Sequence, residues 1–182
     1  MTSMTSIPVE ADFTADDLDA MPDDGQRYEL VDGQLLVTPS PTLRHQSVST
    51  ELLFRLRLAV PPGLRVLSAP MDVRLGPRLQ VQPDLLVVRD EGLEGARVES
   101  VPLLAVEIAS PGTRSRDRVL KRNAYEAAGI ASYWLVDPRG PVITVLELRE
   151  GRYEQVPVVE GEQPWTAELP YPVTVVAADL AR

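Results

Sequence analysis

Asp84, Glu107 and Lys121 are the residues of this chain whose types and placement best suit chemistry. Glu107 interrupts the run Leu103-Leu104-Ala105-Val106-Glu107-Ile108-Ala109-Ser110, which otherwise reads as a strand covered on both faces. A lone buried carboxylate is costly unless it is paired, protonated or bound to a cation. Alternation puts Leu103, Ala105, Glu107 and Ala109 on one face and Leu104, Val106 and Ile108 on the other. The two alanines leave room beside the carboxylate, and the bulky face reads as core. Asp84 follows Pro83 and opens the run Asp84-Leu85-Leu86-Val87-Val88, so it belongs near a sheet end. If its strand neighbours that of Glu107, two carboxylates converge and repel unless a proton or a metal separates them. A hard divalent cation fits, because magnesium takes one or two carboxylates plus waters and phosphate. Ala109 supplies no amine, so a catalytic ammonium must arrive from elsewhere, and Lys121 is the nearest candidate.

The elements that must position these groups are legible in the pattern. Thr14 and Asp17 suit a capping box opening a short helix near Ala15 to Ala20. Arg27 to Val31 and Gln34 to Thr38 flank Asp32-Gly33, a hairpin signal, and Glu29 lies on it. From pattern alone Glu29 reads as the polar face of an edge strand. Ser40 or Thr42 caps a helix in which Val48, Leu52, Leu56 and Ala59 or Val60 recur until Pro61-Pro62-Gly63. His45 sits in its first turns, a place where a packed or exposed histidine is commoner than a ligand. Leu64 to Ser68 and Met71 to Leu75 read as strands, and Arg89 to Ser100 as a charged loop. Thr113 or Ser115 caps a helix to Ala128, stopped by Gly129. Asp117, Lys121 and Tyr125 are spaced by four and line one side of it, with a surface Asp117–Lys121 pair as the plainer alternative. Ser132 to Val136 is the next strand, with Tyr133 and Trp134 as core or rim. Strand, crossover helix and strand across 103–136 predict a parallel unit. Val142 to Leu148 and Tyr153 to Val159, around Glu150-Gly151, form a second hairpin. The segment from Trp165 on shows only one short apolar run, Val173 to Ala178.

Composition limits the alternatives. A chain of 182 residues suits one domain with a real core, with residues 1–9 as a disordered tail and 10–182 as the folded unit. No cysteine and a single histidine exclude thiolate sites and a histidine-rich zinc site. No signal peptide or membrane-length apolar run is read, so the cytoplasm is the expected compartment. A net charge of −9 is not the footprint of a strong nonspecific DNA binder. One basic cluster, Arg114, Arg116, Arg118, Lys121 and Arg122, reads equally as a solvated helix face or as a phosphate contact.

Together, Arg27-Tyr28-Glu29-Leu30-Val31-Asp32-Gly33, Pro39-Ser40-Pro41 with His45, Pro83-Asp84, Val106-Glu107-Ile108-Ala109-Ser110-Pro111 with Thr113, Asp117, Lys121, Tyr125 and Gly129, and Tyr133-Trp134-Leu135-Val136-Asp137-Pro138 resemble the Uma2 family. Over about residues 27–150 the chain is thus similar to a domain of unknown function (DUF820) grouped with restriction-endonuclease-like PD-(D/E)XK nucleases. The resemblance implies an α/β (α+β) fold, a central mixed β-sheet flanked by helices, with N-terminal and C-terminal β-hairpins. It implies an endonuclease dependent on Mg²⁺ or Mn²⁺, acting on nucleic acid, with DNA the expected substrate, and a homodimer. By the same resemblance Asp84, Glu107 and the Ile108 carbonyl hold the metal, Lys121 is the lysine moved to a helix, and Glu29 is the N-terminal glutamate. His45, Arg114, Arg116 and Arg118 become nucleic-acid contacts, and Asp117 and Tyr125 supports. The usual lysine slot holds Ala109. The alternative is a nuclease-fold module that binds a partner protein or nucleic acid without cutting.

Overall fold

A computed structural model describes residues 12–22, 24–38, 40–110, 115–156 and 158–181. The tail expected at 1–9 lies outside them, as do Thr113 and Arg114. Near the N-terminus, α1 (Ala15–Asp19) is opened by the expected capping box. Thr14 accepts from the Asp17 amide, and the Asp17 carboxylate accepts from the Thr14 amide. The hairpin β1 (Arg27–Val31) and β2 (Gln34–Thr38) follows. Its turn puts Asp32 at φ 50° and Gly33 at φ 76°, conformations that Asp-Gly accepts at low cost. Next come α2 (Leu43–Ala59), capped by Thr42, then β3 (Leu64–Ser68), β4 (Val73–Gly76), β5 (Leu79–Val81), β6 (Leu85–Arg89) and β7 (Leu104–Ile108). The chain continues through α3 (Ser115–Ala128), β8 (Ser132–Asp137), β9 (Val142–Arg149), β10 (Arg152–Gln155), β11 (Val159–Glu160), β12 (Pro164–Ala167) and β13 (Val173–Val176), ending in a 3₁₀ turn, Ala177–Ala181.

A seven-stranded mixed sheet runs β10-β9-β8-β7-β6-β3, with β11 also on β9. Only β7 and β8 run parallel, as the crossover through α3 requires; the other pairs are antiparallel. A separate four-stranded sheet, β2-β1-β5-β4, holds the N-terminal hairpin, so β1 is an inner strand. That corrects the edge-strand reading of Glu29. The short β5, between Pro77 and Pro83, carries no sequence signal of its own. The strand expected from Met71 to Leu75 is Val73–Gly76, and the one expected from Tyr153 to Val159 divides into β10 and β11.

Both faces of β7 are buried. Leu104, Val106 and Ile108 pack with Val48, Leu52 and Leu56 of α2 and with Val173 and Val175 of β13. Each fully buried aliphatic side chain contributes about 1.5–3 kcal/mol. Ala105, on the other face, packs with Tyr125, Ile130 and Tyr133. The space expected beside Glu107 is therefore filled on the Ala105 side by tyrosines from α3 and β8, and stays open as a small pocket on the Ala109 side. The C-terminal hairpin β12–β13 closes the first core, and Tyr171 donates to the Leu56 carbonyl at 2.8 Å. No helix among the described residues is long and apolar enough to cross a membrane.

Candidate active site

The register of β6 on β7 brings the first two carboxylates together. Leu85 lies opposite Val106, so Asp84 and Glu107 stand one step further along the same antiparallel pair. Asp84 Oδ2 accepts the Ile108 amide at 2.7 Å and lies 3.2 Å from His45 Nε2. His45 is thus packed on Asp84 from the first turn of α2, and its Nδ1 has no partner among the described residues. The lowered pKa of Asp84 is a balance. Burial pushes it up, but His45, Arg27 and the Ile108 N–H pull it below the ordinary value.

Lys121 joins the two sheets. From α3 its Nζ donates to Glu29 Oε1 at 2.8 Å and to Glu107 Oε1 and Oε2 at 2.9 and 3.1 Å. Lys121 is 6% exposed and Glu29 is 0% exposed, so this is an interior ion pair. The surface pairing with Asp117 is not formed; Lys121 faces inward, and no role for Asp117 emerges. One turn on, Tyr125 Oη donates to Glu107 Oε1 at 2.7 Å, the support expected from its spacing. Glu29 also accepts the Gln82 amide at 2.7 Å and the Thr38 hydroxyl at 3.3 Å.

Arg27, which the sequence reading leaves out, completes the cluster. Its Nη1 donates to Asp84 Oδ1 at 3.3 Å and its Nη2 to Glu29 Oε2 at 3.5 Å. Arg27 and Glu29 alternate on β1, so the i, i+2 spacing within Arg27-Tyr28-Glu29 was the available signal.

Three carboxylates therefore face two permanent cations, and the imbalance falls on Glu107. Burial and then the neighbouring charges of Asp84 and Glu29 raise its pKa, against Lys121 and Arg27. Glu29, despite burial, is held low by Lys121 and Arg27. Lys121 is held protonated: burial opposes its charge, but Glu107 and Glu29 outweigh it. Burial and the Glu107 charge keep the Tyr125 phenol neutral.

The donor set suits a hard divalent ion. It is all oxygen, and its three carboxylates outnumber the two cations beside them. Among the described residues, no three carboxylate or histidine side chains form a ready cage. Two carboxylates with waters is the coordination magnesium ordinarily accepts. Ile108 contributes its amide N–H to Asp84. Arg118 lines a small pocket with Glu107, Lys121 and Tyr133. Arg114 and the side chain of Arg116 lie outside the described residues.

The fold is that of a crystal structure described as "a putative nuclease belonging to DUF820 from Anabaena variabilis ATCC 29413". The match has a TM-score of 0.70 at 19% identity and covers 93% of this chain and 91% of that one. No curated protein matches the chain. The model of the Uma2 family, described as "Putative restriction endonuclease", matches residues 15–180, and with that extent the chain belongs to the Uma2 family.

Proposed function

We propose that this protein is a metal-dependent endonuclease that hydrolyses phosphodiester bonds of nucleic acid, with DNA as substrate. The observation that carries this reading is the insertion of Lys121 between Glu29 and Glu107 beside Asp84. Lys121 from α3 lines the same pocket as Ala109, the residue in the usual lysine slot on β7, which supports the reading. Asp84, Glu107 and the Ile108 carbonyl would hold Mg²⁺ or Mn²⁺. When bound, that ion polarises a phosphate oxygen and makes a coordinated water more acidic.

The chain's own groups do the rest. Lys121 offsets charge as it builds on the phosphorus-bound oxygens and keeps the attacking water aligned. Glu29 holds Lys121 in place, and Tyr125 fixes the Glu107 carboxylate. His45 fixes Asp84 through Nε2. Arg118 lies where it can meet a phosphate. As the water oxygen bonds to phosphorus, one ester P–O bond breaks. The water's proton passes to solvent, and the leaving oxygen collects one. Arg114 and Arg116 belong to the same basic cluster in the sequence and are further proposed phosphate contacts. A homodimer would let two such sites cut both strands, and sedimentation velocity tests it.

Plasmid cleavage in Mg²⁺ and Mn²⁺ tests the enzyme reading. Cleavage by the wild type is expected to be lost in Glu107→Ala and Lys121→Ala, and unchanged activity in both removes the assignment. One observation favours a non-cutting binding module instead: Arg27 and Lys121 already engage all three carboxylates. Calorimetry decides, because that module shows no heat of binding at millimolar Mg²⁺ or Mn²⁺.

A further inference from the structure

Tyr133 is fully buried on β8, yet its Oη makes no hydrogen bond among the described residues. A buried hydroxyl without a partner is costly and uncommon. Tyr133 forms part of the wall of a pocket of about 20 Å³ that is also lined by Glu107, Lys121, Arg118 and Ala109. That volume holds about one water. The walls mix donors from Arg118 and the tyrosine with an acceptor, Glu107, which suits water, since an interior water needs 2 to 4 polar partners. The small side chain of Ala109 is what leaves the pocket open on β7. Tyr125 is a control built into the fold. It packs edge-on against Tyr133, with ring centroids 5.1 Å apart at 88°, yet its own hydroxyl is spent on Glu107.

We propose that Tyr133 is a further catalytic residue whose hydroxyl, with Glu107, seats the water that attacks the phosphodiester. The inference rests on the nuclease reading for the fate of that water, but not for its seat. Parallel pairing of β7 with β8 places Tyr133 opposite Ala105, two residues before Glu107, on the face covered by α3. The hydroxyl stays protonated beside Glu107, because burial and that carboxylate both oppose its ionisation. It can therefore donate to the water's oxygen or accept from one of its hydrogens. The remaining lone pair is then free to point toward the substrate.

Two measurements on the full chain test the proposal. A crystal structure of the wild type is expected to show an ordered water within hydrogen-bond distance of both Tyr133 Oη and Glu107, and the Tyr133→Phe structure to lose it. In plasmid cleavage, Tyr133→Phe is expected to lower kcat about tenfold with KM unchanged, the factor for one hydrogen bond of about 1.4 kcal/mol. A hydroxyl with only a structural role would leave kcat and the pocket unaltered. No water at that seat, or wild-type kcat in Tyr133→Phe, overturns the proposal. If the wild type cleaves nothing while the water is present, the nuclease reading fails and the seat stands. If Glu107→Ala abolishes cleavage while no water touches Tyr133, the seat fails and the nuclease stands.

Discussion

Replacing Lys121 with methionine keeps the apolar stem and deletes the ammonium that Glu29 and Glu107 share. Removing one partner of a buried pair costs about 3–5 kcal/mol. Here the structure sets a ceiling. Glu29 keeps Arg27, Thr38 and the Gln82 amide, so the loss concentrates on Glu107. That carboxylate can escape by taking a proton. From its ordinary value of 4.5, escape at pH 7 costs at most about 3.4 kcal/mol, at about 1.36 kcal/mol per pH unit. At pH 5 the same escape costs about 0.7 kcal/mol. The destabilisation by Lys121→Met is therefore expected to shrink by up to about 2.7 kcal/mol between pH 7 and pH 5. Urea denaturation of the metal-free protein, followed by circular dichroism at both pH values, measures it. Equal destabilisation at the two pH values would refute the reasoning, since Glu107 would then not be the group left stranded.

Arg27→Gln removes a cation held by Asp84 and Glu29, so Mn²⁺ should bind several-fold more tightly by calorimetry, while metal-free thermal stability falls. Acid should act through Glu29 and Asp84. Their folded pKa values lie below the ordinary 4.5 and 3.8, so their contribution is present above those values and lost as pH falls through the lowered ones. Glu29→Gln should flatten that acid limb in thermal melts. Glu107 has the opposite sign, and its proton favours the fold below 4.5 and is lost as pH rises. The Tm of Glu107→Gln should therefore gain on the wild type from pH 4.5 upward. Tyr125→Phe strands a carboxylate lone pair and should cost about 1.5–3 kcal/mol in the same urea assay.

How much of this was legible follows from what each residue had to satisfy locally. Glu107 was conspicuous because a charge broke an apolar strand, and Lys121 and Tyr125 because helix spacing put them on one side. The hairpin around Asp32-Gly33 and the caps at Thr14 and Thr42 were written in short-range turn and cap chemistry. Arg27 left only its i, i+2 spacing from Glu29 as a signal, because an arginine on a hairpin strand looks like any solvated one until its sheet is folded against the one that carries Asp84. The segment beyond Trp165 was opaque for the same reason. Val173 and Val175 are core through α2 and β7, contacts far away in sequence. Tyr133 was read as core, which it is, but its orphaned hydroxyl is a property of packing and leaves no mark in the pattern.

The pairing of Leu85 with Val106 has a consequence for how such proteins can vary. Asp84 and Glu107 meet because two strands are in register, and nothing depends on how many residues join them. The exposed part of their connection, around Glu91 to Ala96, could double in length for about 0.6 kcal/mol of closure entropy while Val98 stays buried beside Val73. A slip of one residue in β7 would instead turn Glu107 toward α2 and leave Lys121 facing Ile108 or Val106, and a slip in β6 would turn Asp84 away from the cluster. Descendants of this chain can thus lengthen that exposed stretch, while a single insertion inside either strand would silence the centre.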